Sequence, residues 1–169
     1  MMRAARLLLG LCLSAFLIAV RAEVALPAVV ARSAAWEAVG SGSLNWFVFR
    51  VYDATLWRAG DAQALAIRYA RDIPASALVD VSVDEMQRLG VPKPERWRGA
   101  MRAIFPDVQA GEVLVAVARP AGAMRFFHRE STIGTVSDAD FGDAFFSIWL
   151  DPRTREPALR DRLLGASQP

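Results

Sequence analysis

Arg50 and Tyr52 stand two residues apart in a stretch of aromatic and β-branched residues. A strand turns the same face to its surroundings at every second residue, so at this spacing a guanidinium and a phenol project together. Such a pair can grip a carboxylate or a ketone through charge-assisted hydrogen bonds. It can also support acid catalysis, the phenol giving a proton and the guanidinium stabilising the charge that develops. The other reading leaves Arg50 at a solvated sheet edge and Tyr52 in the core. Tyr69, the second of only two tyrosines, carries the same pair of readings, with Arg68 pointing away from it. Trp46, Trp97, Phe145 and Trp149 either line an apolar pocket or fill a compact core.

Other chemistries have little to work with. His128 is the one histidine and Cys12 the one cysteine, so zinc, haem and iron–sulfur centres have no ligand set, and no metal or other cofactor is expected. His128, Asp138 or Asp140, and Ser131 have the types of a nucleophilic triad, but no nucleophile-elbow motif surrounds Ser131. Asp84 and Glu85 are adjacent, so a helix sends them apart instead of pairing them as acid and base.

The elements that must position these residues come from a chain of 169 residues, 54% of them hydrophobic, a size suited to one domain. Residues 1–22 read as an export signal: Arg3 and Arg6, an uncharged run from Leu7 to Val20, then small residues at Val20 and Ala22. That run makes about 21 Å of helix, short of the roughly 30 Å hydrocarbon core, so cleavage is favoured over a membrane anchor. Residues 23–169 are then a single domain, periplasmic or secreted, without cysteine and held by its core. Removing Arg3, Arg6 and Arg21 from the 20 basic residues leaves fewer than the 18 acidic ones. Capture of nucleic acid, which needs a concentrated positive face, loses its support.

Strands come first. Ala35 to Trp57 reads as two strands with a bend at Gly40 and Gly42, and from Trp46 to Trp57 both alternating faces are largely apolar, as in a strand covered on both sides. Leu65 to Ala70 returns as another strand. The period then changes: Asp72 caps a helix with Pro74 in its first turn, ended by Gly90 and Pro92, and a second helix spans Pro94 to Phe105. Glu112 to Ala118 and Ala123 to Arg129 alternate as antiparallel partners, and Ile133 to Val136 adds a short strand. Ser137 with Asp140 caps a helix through Ile148, and a last helix begins at Pro157. This order argues an α+β fold, helices layered on an antiparallel sheet.

The run from Phe47 through Arg50, Tyr52, Ala54 and Leu56 to Trp57 resembles the bacterial chalcone-isomerase-like family. So do Arg71-Asp72-Ile73, Ile104-Phe105-Pro106-Asp107 and Gly111-Glu112-Val113, and the tail Ile133-Gly134-Thr135-Val136, Asp140-Phe141, Ala144 and Ile148-Trp149-Leu150. The resemblance implies an open-faced β-sandwich, a large antiparallel sheet with a layer of helices and a ligand cleft between them. Family enzymes that close the chalcone ring use an arginine shortly before the aromatic strand, a threonine on it, and a tyrosine and an asparagine from the helices. Here the arginine position falls on Leu44 and the threonine position on Tyr52. The helical tyrosine is absent, and Gln87 is the nearest amide. No catalytic residue carries over securely, and Arg50 and Tyr52 remain the candidates.

Three functions follow. The first is a noncatalytic binder of a small apolar ligand, such as a fatty acid or an aromatic acid, held by Arg50, Tyr52, Tyr69, Trp46 and Gln87. The second is an isomerase, an intramolecular lyase acting on a chalcone-like unsaturated carbonyl compound. The third is a scaffold or assembly subunit with a protein partner and a cleft filled by its own side chains.

Overall fold

The structure, a computed structural model, describes residues 23–166. The segment read as an export signal, with Cys12, lies outside these residues. Six strands form one antiparallel sheet in chain order: β1 (Glu37–Trp46), β2 (Phe49–Ala59), β3 (Ala62–Tyr69), β4 (Val113–Ala118), β5 (Met124–His128) and β6 (Ser131–Val136). A short helix α1 (Ala28–Ala31) precedes them. Between β3 and β4 come α2 (Ala75–Arg88), a 3-10 turn at Pro94–Trp97 and α3 (Arg98–Ile104), while α4 (Phe141–Leu150) and α5 (Pro157–Leu163) close the chain. Sheet and helices are the α+β architecture expected.

Alternation divides the sheet into two apolar faces. Leu65, Ile67 and Tyr69 of β3 and Leu114 and Ala116 of β4 meet the helices in a core that includes Met86, Met101, Phe126, Phe141 and Phe145. Ala64, Ala66, Val115 and Val117 point the other way, onto Val24, Val30, Leu26 and Trp36. The N-terminal segment is thus the second cover that two apolar faces demanded. Polar groups lock it down: Thr55 Oγ1 accepts the Val24 amide proton at 2.8 Å, and the Trp57 indole donates to the Val24 carbonyl at 3.1 Å.

Three local expectations are corrected. The stretch from Trp46 to Trp57 is not one strand. The chain reverses at Phe47 and Val48, with Trp46 opposite Phe49, and Phe47 takes a left-handed φ of 53°. Nothing in Trp-Phe-Val-Phe signals a turn, since glycine and asparagine are the residues that adopt this conformation cheaply. Gly40 and Gly42 lie inside β1 and serve close approach: a Cβ on Gly40 would stand 2.0 Å from the Arg162 carbonyl oxygen, and one on Gly42 2.7 Å from Leu159, both on α5.

The second correction is a β-bulge. Leu44 pairs with Tyr52 and Asn45 with Arg50, which leaves Val51 as an extra residue on β2. One inserted residue reverses the alternation beyond it. The third concerns the helix starts. Asp107 Oδ1, not Asp72, accepts the Ala75 amide proton at 2.7 Å, while Asp72 accepts that of Ala110 at 2.8 Å. The bridge between Ile73 and Val108 brings the two loops together and exchanges their aspartates. At α4, Asp140 and Ser137 make no side-chain cap, and Asp138 accepts the Asp140 amide proton instead.

Candidate functional site

Between the sheet and the helices lies a cavity of about 380 Å³, within the roughly 300–1,000 Å³ of small-molecule sites. Its floor is Leu65, Ile67, Leu114, Ala116 and Phe126, its far wall Phe105, Phe145, Ile148 and Trp149, and its near wall Leu78 and Val81 of α2. Leu44, Val51 and Ile73 form a rim, and Val81 and Arg155 are exposed where the cavity meets solvent. The cleft is not filled by its own side chains.

Two phenols supply polar function inside this apolar space. Tyr52 and Tyr69 are register partners on β2 and β3, their rings edge to face with centroids 6.2 Å apart. The Trp149 indole donates to the Tyr52 hydroxyl oxygen at 2.8 Å, which fixes the phenol and leaves its own proton unspent. The Tyr69 hydroxyl has no hydrogen-bond partner among the described residues, yet it is not a sealed, unsatisfied group. Burial, the largest cause in each case, pushes both hydroxyls well above the ordinary tyrosine pKa. They are therefore neutral donors throughout the working range of pH.

The other polar groups are already engaged. Ser82 Oγ donates to the Leu78 carbonyl at 2.7 Å, and Thr154 Oγ1 to that of Ile148 at 2.9 Å. Glu85 is buried but held from both sides, by Arg88 at 2.8 Å and Arg155 at 3.1 Å. Its neighbour Asp84 is exposed, so the two carboxylates diverge.

The residues singled out by sequence divide. Tyr52, Tyr69, Phe145 and Trp149 line the cavity, whereas Arg50, Trp46, Gln87 and Trp97 do not. The Val51 bulge turns Arg50 away from the Tyr52 face and onto Asp53, at 3.4 Å, which corrects the expectation that both project into one hollow. Trp46 and Gln87 are exposed, and the Trp97 indole donates to Asp138 at 2.8 Å. No triad forms: His128 Nε2 lies 3.1 Å from Glu112, and Asp138 is held at Trp97. Leu44, at the position the family resemblance gives to the steering arginine, contributes an apolar rim. The pairing of Glu85 with Arg155 had no mark in the sequence, because it depends on the return of the chain after α4. Among the described residues no three His, Cys, Asp or Glu side chains gather as metal ligands.

An antiparallel sheet, one helical layer and an apolar hollow between them make this an open-faced β-sandwich with a ligand-sized cleft. The chain matches the chalcone isomerase-like family over residues 27–165, and it belongs to that family. An uncharacterized protein of Haemophilus influenzae is 26% identical over 142 residues, covering 79% of this chain and 70% of its own. A crystal structure of the Arabidopsis thaliana fatty-acid binding protein AtFAP1 shares the fold with a TM-score of 0.62 and 8% identity, over 77% of this chain and 87% of the other.

Proposed function

We propose that this protein is an exported, noncatalytic binder of a small apolar molecule with a carbonyl or carboxyl head, such as a fatty acid or an aromatic acid. One observation carries the reading: two phenol protons, on Tyr52 and Tyr69, have no acceptor among the described residues and line a cavity that is mostly apolar. Buried donors find acceptors as a rule, and a ligand oxygen between these two rings supplies the missing one. The fold shared with a protein named for fatty-acid binding supports the same reading.

Turnover would ask for more than these side chains offer. A general acid works best with a pKa near the ambient pH, and burial drives both phenols the other way. The guanidinium that would steer an anionic substrate is engaged with Asp53. Export rests on the charged, apolar and small-residue pattern of residues 1–22, and its test is a periplasmic product whose sequence begins near Glu23.

The binding test is displacement of a fluorescent fatty-acid probe from the delipidated protein by long-chain fatty acids and aromatic acids. Tyr52→Phe should weaken the best competitor about tenfold, near 1.4 kcal/mol, as expected for a hydrogen bond to a charged or strongly polar group. Ala116→Phe, which fills the cavity floor, should abolish binding. If no such compound displaces the probe, or Ala116→Phe binds as well as the parent, the reading fails.

A further inference from the structure

We infer that the β1–β2 hairpin tip is a docking element for the surface of an anionic lipid bilayer. Trp46, Phe47, Val48 and Phe49 are 66%, 87%, 88% and 70% exposed, four consecutive large apolar side chains in water. Exposed apolar residues scattered singly need no explanation, but a contiguous group at a protruding tip marks an interaction site. Phe47 also holds its left-handed φ of 53°, a conformation costly for a bulky residue and found where function repays it. No core contact accounts for these side chains, since none belongs to either apolar cluster.

Shape and charge select the occupant. Three aromatic rings and a valine present roughly 600 Å², below the ~800 Å² that each partner of a standard protein interface contributes. A bilayer needs no shape-matched groove: a convex tip sinks about 5–10 Å into the boundary between headgroups and acyl chains, with tryptophan favoured at that depth. Just behind the tip stand Arg50 on β2 and Arg68 on β3, which faces Asp53 in the register, with Arg71 two residues past the end of β3. Against these three arginines stand two carboxylates, Asp53, which takes the Ser43 hydroxyl and pairs with Arg50 at 3.4 Å, and Asp72, which caps the Ala110 amide. Apolar tip and cationic collar match the order of layers in an anionic membrane. Arg50, which the Val51 bulge swings out of the cavity, thereby acquires a role at the headgroups.

The tip also continues into the cavity. Leu44 and Val51, two residues before and after it, are part of the cavity rim. A docked tip therefore sets that rim against the bilayer, the source of apolar molecules. Docking itself does not depend on the cavity being occupied. Among the described residues no helix is long and apolar enough to cross a membrane.

The test uses the full chain with Cys12→Ser and an environment-sensitive dye on Val48→Cys, mixed with phosphatidylcholine–phosphatidylglycerol vesicles. A second label on Ala121→Cys, in the turn at the opposite end of the sheet, is the control. The expected result is a blue shift and quenching by bromolipid at position 48 alone. Phe47→Asp should lower vesicle affinity of the tip at least tenfold without changing the unfolding temperature, and pure phosphatidylcholine should bind several-fold less tightly. A chain that floats with vesicles while position 48 stays in water is held by residues 1–22, and that result overturns the inference. So does a dye already shielded without vesicles in a dimer, which assigns the tip to a second copy. Vesicle docking with no displacement of the fatty-acid probe would leave docking intact and remove only the ligand reading.

Discussion

The two faces of the sheet are built from the same strands and finished differently. On the N-terminal side, small residues, Ala64 and Ala66, meet Val24, Val30 and Trp36, and the polar atoms are paired down to the Thr55 hydroxyl, which also meets Ser41 at 2.9 Å. On the helical side the residues are larger, with Phe105, Phe126, Phe141 and Phe145 in mutual contact, yet the packing stops short and leaves about 380 Å³ open with two donors unspent. Protein interiors normally close such space, because each lost contact costs dispersion energy and a cavity costs more. One face is packed closed, and the other gives up some stability by keeping a hollow.

That contrast can be broken by substitution, and the largest effect should come where the helical face is tight. Gly40→Ala places a methyl group 2.0 Å from the Arg162 carbonyl, so α5 must move off β1. Overpacking against backbone should cost about 3 kcal/mol, a fall of roughly 6–12 °C in the unfolding temperature, with the N-terminal face unaffected in hydrogen exchange. A wild-type melting curve would mean that α5 floats and that neither end of the helical face is tight.

Next comes the sealed face. Thr55→Val keeps the shape and removes the acceptor of the Val24 amide, leaving a buried donor alone, at a cost of about 2 kcal/mol in urea unfolding. The sharper comparison pairs two alanines on neighbouring strands. Ala66→Leu pushes into the closed packing under the N-terminal segment and should destabilise by about 1.5 kcal/mol. Ala116→Leu points into the cavity and should lie within about 0.5 kcal/mol of the parent. Equal losses at both sites would mean that the cavity is closed in solution and that the two faces do not differ.

How much of this could be read in advance depended on whether a rule stayed local. The period-two and helical spacings placed five of the strands and the major helices, and the double apolar face foretold the cover that Val24 and Val30 supply. The hairpin at Phe47 was missed because an apolar turn carries no turn chemistry, and the two glycines that resembled a bend were answering α5, far away in sequence. The site divided on one residue. Tyr52 and Tyr69 were placed by alternation, and Arg50 was misplaced by it, because an inserted Val51 inverts every face beyond it and no residue type announces a bulge. Asp107 replaced Asp72 as the cap of α2 for a related reason: tertiary approach chose between two equally suitable aspartates.

The end of the sheet beside Gly111 is held by charge rather than by either packed face, and it should show the smallest and most pH-selective effect. Glu112 accepts the Gln109 amide proton at 3.0 Å and the Arg129 Nε proton at 2.6 Å, with His128 Nε2 at 3.1 Å. These bonds favour the carboxylate, the Gln109 amide most of all and the Arg129 guanidinium next, and hold its pKa down to about 2. An unfolded glutamate titrates near ~4.3, so the folded chain keeps its proton off more readily than the unfolded one. The stabilisation is complete above that value and is lost as pH falls toward about 2. Glu112→Gln should therefore be the less stable protein at pH 7, with the gap closing as both are acidified through this window in parallel urea titrations. A gap that stays constant would assign the loss to hydrogen-bond geometry at the β4 start. The charge would then have no part in tying β4 to the β5–β6 turn, and packing alone would hold the sheet at both faces and at its end.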